Sequence, residues 1–206
     1  MNDQKNYAGF GIRAVAFFID VCLGLLGVTL TFYLLALTAG TNIFAFFPNF
    51  LWFTLYFFVV NGLVFFFLNP YLISIFGGTA GKLLTGLTIE NEDGTHLTYK
   101  QALFREYVAK IASNALFGVG YFWIFKNEKK QTWHDMLSDT VVIVKSNKIA
   151  LGLITLLLLV LIELTLGVTG TIKFSENKPL LADISTLFKD IGNSPVIPNV
   201  PNPIAN

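Results

Sequence analysis

The sequence predicts an all-α membrane protein: a small helical bundle with three full spans, one broken re-entrant or interfacial helical pair, and a short cytoplasmic β-hairpin. Three observations carry this. Of the 206 residues, 54% are apolar and only 13% are charged, about half the charged share of a soluble domain. The apolar residues gather into runs near 12–38, 49–76 and 149–170, each close to or above the roughly 20 residues that cross a bilayer. Between the second and third runs lies a polar stretch with Gly-rich turns and β-prone segments.

Composition also narrows the partners. A net charge of +1 and the lack of a basic stripe with interleaved aromatics argue against nucleic acid. The single cysteine, Cys22, lies inside the first apolar run, so no disulfide or thiolate metal framework can form within one chain. That run is far longer than the roughly 7–15 residues of a signal-peptide core, and Asp20 interrupts it, so it reads as an uncleaved anchor.

Taken in order, residues 1–11 are polar and suit the membrane surface, with Tyr7 and Phe10 at headgroup level. The first span, 12–38, carries Arg13 at its start and Asp20 about two turns further in. Thr38 to Asn42 reads as a turn and Phe44 to Pro48 as an interfacial link. The second span, 49–76, has no formal charge, Asn61 at mid-depth, and Asn69-Pro70 placed to kink or end it.

Gly77 to Lys82 (GGTAGK) is a Gly-rich turn, one residue short of a phosphate-loop spacing and without its Ser or Thr. Leu84 to Ile89 and Thr95 to Tyr99 flank Asp93-Gly94, which predicts a β-hairpin over 84–99. The next segment, 102–125, opens with Arg105, Glu106 and Lys110. It keeps only about 15 mostly apolar residues, roughly 22 Å of helix, and Ser113, Asn114, Gly118 and Gly120 break it. Lys82, Lys100 and Arg105 lie on its hairpin side, and Lys126, Lys129, Lys130, Lys145 and Lys148 follow it. Positive-inside reasoning puts both sides of it in the cytoplasm, so a broken or re-entrant pair is expected.

The cytoplasmic loop 126–148 holds a polar turn and a β-branched run. The span 149–170 follows, with Glu163 near its far end. An extracytoplasmic tail, 171–206, carries an amphipathic helix near 179–192 and an extended Pro/Asn-rich end from Pro195.

Three blocks resemble the RDD family of bacterial membrane proteins. These are AGFGIRAVAFFID (Ala8 to Asp20), GGTAGKLLTGLTIENEDGTHLTYKQALFRE (Gly77 to Glu106) and KKQTWHDMLSDTVVIV (Lys129 to Val144). Arg13, Asp20 and Asp135 match the Arg and two Asp that name the family. The resemblance covers residues 8 to about 145, within an RDD-like membrane domain of 1–148, and leaves the last span and tail as an addition. It implies a helical membrane domain, with sodium/proton exchange described for some members.

The charged residues pose the functional question. Asp20 and Asn61 are the buried polar, ion-coupling candidates. Asp20 is either a titratable coupling carboxylate or a structural one that pairs with Arg or caps backbone groups. Arg13, seven residues earlier, is separated from it by about 10.5 Å along the axis, so Arg13 is expected to bind Asp135 or Asp139 instead, with its planar fork. Lys82, Arg105 and His134 complete the expected charge network. His134 beside Asp135 lacks a recognisable nucleophile elbow and reads as part of a cytoplasmic cap, so no enzyme is expected. No HxxxH or HExxH spacing exists, so neither a metal nor a cofactor is expected.

Two functions remain open. One is an ion transporter or exchanger component moving a monovalent cation or proton. The other is a non-catalytic membrane scaffold or accessory subunit of a larger complex. Both expect a multi-pass protein of the bacterial inner membrane with a cytoplasmic N-terminus, partnered by the bilayer and by copies of itself or other membrane subunits.

Overall fold

The structure is a computed structural model that describes residues 5–38 and 43–193. The predicted turn at 38–42 and the extended end from 195 fall wholly or almost wholly outside that range. Helix α1 (Phe10–Thr38) is a single run of 29 residues. Its Phe17, Phe18, Leu25 and Leu30 are exposed, as suits a surface facing lipid rather than water. Thr29 and Thr31 return their hydroxyls to the carbonyls of Leu25 and Gly27, which satisfies them without a partner helix.

The segment predicted as the second span is helical but interrupted. It comprises α2 (Ile43–Tyr56), a π-helical turn (Phe57–Asn61) and α3 (Gly62–Phe76). Pro48 and Pro70 lie inside the helices, so of the two effects expected of Pro70, a kink or an end, the end does not occur. A proline at 70 cannot donate to the carbonyl of Phe66. The Tyr107 hydroxyl donates to that carbonyl instead, at 2.8 Å, with its ring stacked on Phe66.

Beyond α3 come the short helix α4 (Ala80–Leu84) and strand β1 (Leu87–Asn91). Gly86, at φ +78, is the turn between them, where a side chain would overlap the Ser146 carbonyl. The predicted hairpin over 84–99 does not form. The Asp93-Gly94 turn is present, with Thr95 N and Oγ1 both donating to Asp93 Oδ1. The segment after it, however, becomes helix α5 (Tyr99–Leu103), started by a capping box of Thr98 and Gln101 that outweighs the strand propensity of Thr95 to Tyr99. The chain continues through a π-helical turn (Phe104–Ala109), α6 (Lys110–Phe122) and a 3₁₀ turn (Trp123–Phe125). As expected, this stretch is broken: Tyr99–Ala115 and Phe117–Phe125 meet at 95°.

After α7 (Trp133–Leu137), strand β2 (Thr140–Val144) supplies the partner that β1 lacked. They pair antiparallel from Leu87↔Val144 to Asn91↔Thr140. The other edge of β2 takes the N-terminal residues, with Ala8 N donating to Val142 O and Val144 N to Asn6 O, each at 2.8 Å. Residues 6–8 are therefore bound along the edge of the sheet. A core of Ala8, Ala16, Ile73, Leu87, Ile89, Leu97, Ala102 and Val142 joins this polar cap to α1 and α3.

Helix α8 (Ile149–Glu176) has 28 residues. With α1 it is one of two uninterrupted helices among the described residues that are long and apolar enough to cross a membrane; the bent pair would be a third. Gly152 of α8 faces Val15 and Ile19, Gly167 faces Thr29, and Gly170 faces Phe32 and Tyr33. The two helices thus pack side by side and parallel. Helix α9 (Lys178–Asn193) covers the predicted amphipathic segment, with Leu180 buried and Phe188 and Ile191 exposed.

Candidate functional site

The first part of the site is where α1 meets α4. Asp20 lies on the face of α1 toward the GGTAGK turn. Its Oδ2 accepts from Thr79 Oγ1 at 2.6 Å and its Oδ1 from the Gly81 backbone N–H at 2.7 Å. A carboxylate thus receives a hydroxyl and an amide from the first turn of α4, where orphan N–H groups need acceptors. Glycine at 81 is what allows the approach: a Cβ there would overlap the Ala16 carbonyl of α1. Of the two roles open for Asp20, capping backbone is the one its contacts supply.

The second part is a chain of buried charges at the start of α1. Arg13 spreads its guanidinium over three acceptors, with Nε donating to Ala8 O, Nη1 to Asp135 Oδ2 at 2.6 Å and Nη2 to Lys130 O at 2.8 Å. Asp135 also receives Thr132 N and Thr132 Oγ1 on Oδ2 and Arg105 Nη2 on Oδ1. Arg105 in turn reaches Glu106 Oε1 at 2.7 Å and Thr140 Oγ1 at 3.2 Å. Lys110 closes the line on Glu106 Oε2. Asp135, Arg105 and Glu106 are all essentially buried. Burial alone would raise the Asp135 carboxyl, but Arg105 and Arg13 outweigh it and hold it well below the usual carboxylate range.

Asp139, the other candidate partner for Arg13, is exposed. It holds a left-handed turn at φ +51, its carbonyl accepting from Glu92 N. An outer layer surrounds the network: Gln131 Nε2 bridges Glu92 Oε1 and the Thr140 carbonyl, and Lys129 pairs with Glu92 at 2.7 Å.

His134 is buried beside Ser113, with Nδ1 2.9 Å from Ser113 Oγ and Nε2 3.5 Å from Asp135 Oδ1. The order Ser, His, Asp resembles a nucleophile relay, but the contacts differ from those of one. Ser113 Oγ accepts from the His134 backbone N–H at 2.9 Å, and Ser113 is fully buried. The His-to-Asp separation is beyond hydrogen-bond range. Burial pushes the ring down to about 3, so it stays neutral at ordinary pH.

Lys82 is half-buried and reaches only Thr79 Oγ1, at 3.4 Å, among the described hydrogen bonds. Burial, opposed by Glu106, brings its ammonium down to about 8. Asn61 closes the π-helical turn, but its side chain falls outside the described residues. Glu106, Lys110, Thr79, Thr132 and Thr140 are network members that sequence reasoning did not single out. The adjacent Arg105-Glu106 and the Glu106/Lys110 spacing of one helical turn were the available signals.

No group of three or more His, Cys, Asp or Glu side chains that could hold a metal occurs among the described residues.

The RDD family pattern matches residues 7–139, which holds both parts of this site except Thr140 and ends just before β2. The chain belongs to the RDD family. A stretch of 68 residues is also 38% identical to the uncharacterized protein YxaI of Bacillus subtilis (strain 168), covering 33% of this chain and 44% of that protein. The match thus spans less than half of that relative's length. No solved structure matches the chain. Among RDD residues here, Arg13 and Asp135 meet directly, while Asp20 serves a separate contact.

Proposed function

We propose that this RDD protein is a non-catalytic membrane scaffold or accessory subunit, whose family charges fasten a polar cap to the membrane helices. The observation that carries this reading is saturation. Both oxygens of Asp20 and both of Asp135 are occupied by protein donors, leaving neither carboxylate free to take a cation in this state.

The pairing of β1 with β2 supports a specific topology. Those strands share one sheet, so the bent stretch between them leaves and returns on the same side and is re-entrant. The parallel course of α1 and α8 needs an odd number of crossings between them, which 43–76 supplies. Three crossings result, with the cap on one side and α9 on the other. The lysines of 126–148 make the cap side cytoplasmic in a bacterial inner membrane.

The test is in-cell cross-linking followed by native electrophoresis of the extracted protein. The scaffold reading expects a discrete larger assembly, lost when residues 178–206 are removed. Purified protein in proteoliposomes should pass no cation above empty vesicles. Proton-driven cation flux abolished by Asp20→Asn would overturn it.

One observation favours a second reading, an ion-exchanger component. Thr79 Oγ1 links Asp20 to Lys82, and an ammonium near 8 can gain and lose a proton close to neutral pH. In that reading Asp20 frees itself from α4 in another state, and the same flux assay decides.

A further inference from the structure

One charged residue within α8 and outside all of these contacts is Glu163. The sequence places it near the end of the last span, but α8 continues through Thr169, Thr171 and Lys173 to Glu176. Glu163 is therefore at the helix centre, about 20 Å from either end at 1.5 Å per residue. That is the depth at which an ionisable side chain is most costly and most often functional.

Among the described residues, its surroundings offer no counter-charge. Glu163 Oε1 is shielded from solvent and has no hydrogen-bond partner. On α1, the helix packed along α8, the one titratable group coupled to it is the Cys22 thiol. Helix α4 meets α8 at Gly152 through Thr85, so Lys82 stands about three turns away. The nearby Thr165 hydroxyl donates back to Leu161 O and not to the carboxyl. A carboxylate at this depth with a bare, shielded oxygen would carry a large desolvation cost with nothing to offset it. A carboxylic acid would not.

We propose that Glu163 is a proton-binding site at the middle of the membrane, in the seam between α1 and α8. It lies outside the RDD match and owes nothing to the Arg13 network. The site takes a proton in the sealed state and releases it only when the seam opens to water. Asp20, with both oxygens held by donors, is its built-in contrast on the neighbouring helix.

The test is labelling of the full-length protein, in native membranes, by a hydrophobic carbodiimide. The reagent reacts with a protonated carboxyl. The acid adds across one C=N bond, its oxygen bonding to the central carbon and its proton passing to nitrogen. The acyl group then migrates from oxygen to nitrogen, leaving an N-acylurea that retains the whole mass of the reagent. Peptide mass spectrometry should find that mass on Glu163 and not on Asp20, formed at least several-fold faster at pH 6 than at pH 9. A water-soluble carbodiimide should not label it, and Glu163→Gln should abolish the adduct without loss of the protein from the membrane. Absence of labelling at pH 6, or a rate independent of pH, would overturn the proposal. Protection by sodium at constant pH would also overturn it, by making the occupant a metal cation.

Discussion

Arg13 Nη1 stands 2.6 Å from Asp135 Oδ2, although 122 residues separate the two in the chain. One sits at the start of a membrane helix and the other in a five-residue helix of the polar cap. The contact joins a helix long and apolar enough to cross a membrane to the polar cap. Because Arg105 holds the other oxygen of Asp135, the cap is tied at once to α1 and to the bent pair. Buried pairs of this kind do little for net stability, yet removing one partner leaves an uncompensated charge.

Arg105 should be the least replaceable member. It is almost fully buried and pairs with two carboxylates. Arg105→Ala is expected to cost about 3–5 kcal/mol, seen as a large loss of folded, monodisperse protein by size-exclusion of a fluorescent fusion. Arg105→Lys should recover only part of it, since an ammonium cannot reproduce the fork.

At the α1–α4 contact, Asp20→Asn should be mild and Gly81→Ala severe. Asparagine keeps one acceptor for Thr79 or Gly81, at a cost of about 1 kcal/mol typical of a weakened cap. A methyl group at 81 meets the Ala16 backbone, which cannot move without displacing α1. Thermal unfolding in detergent compares the two; equal effects would argue that Asp20 does more than cap.

Acidification should weaken the cap in two stages. The folded His134 ring sits near 3, below its usual 6.5. The unfolded state therefore binds the proton first, and stability falls as pH drops from about 6.5 toward 3. The depressed Asp135 carboxyl adds a second loss, which begins only below about pH 4. Melting temperatures measured from pH 8 to 4 should show the first stage, and His134→Gln should remove it.

Topology has its own check. With Cys22 replaced by Ser, single cysteines at Asp93 and Glu128 should react with an impermeant thiol reagent from the same membrane side. A cysteine at Phe188 should react from the other. Opposite-sided reaction of 93 and 128 would mean that 99–125 crosses fully and that β1 and β2 cannot pair.

Much of this was legible in the sequence, and the gaps have physical causes. The axial separation of Arg13 and Asp20 directed Arg13 to the third block, where Asp135 holds it. One partner of Asp20, the Gly81 amide, was hidden because a backbone N–H leaves no residue type to read. Strand β1 was legible from its β-branched run, but its partner lies about 50 residues on, and pairing at that distance follows from the tertiary fold rather than from local pattern. Glu163 reads as near the far end of a span closing at 170, whereas Thr169 and Thr171 bond back into the helix and α8 runs on to Glu176.

The central claim is that the family charges act as one fastening between cap and membrane helix, and a double-mutant cycle on Arg13 and Asp135 tests it most directly. Stability of the wild type, Arg13→Ala, Asp135→Ala and the double variant would be measured by reversible denaturation in the same micelles. The account predicts a coupling of about 2 kcal/mol or more, with the double variant little worse than either single one. Losses that simply add, within about 0.5 kcal/mol, would contradict it.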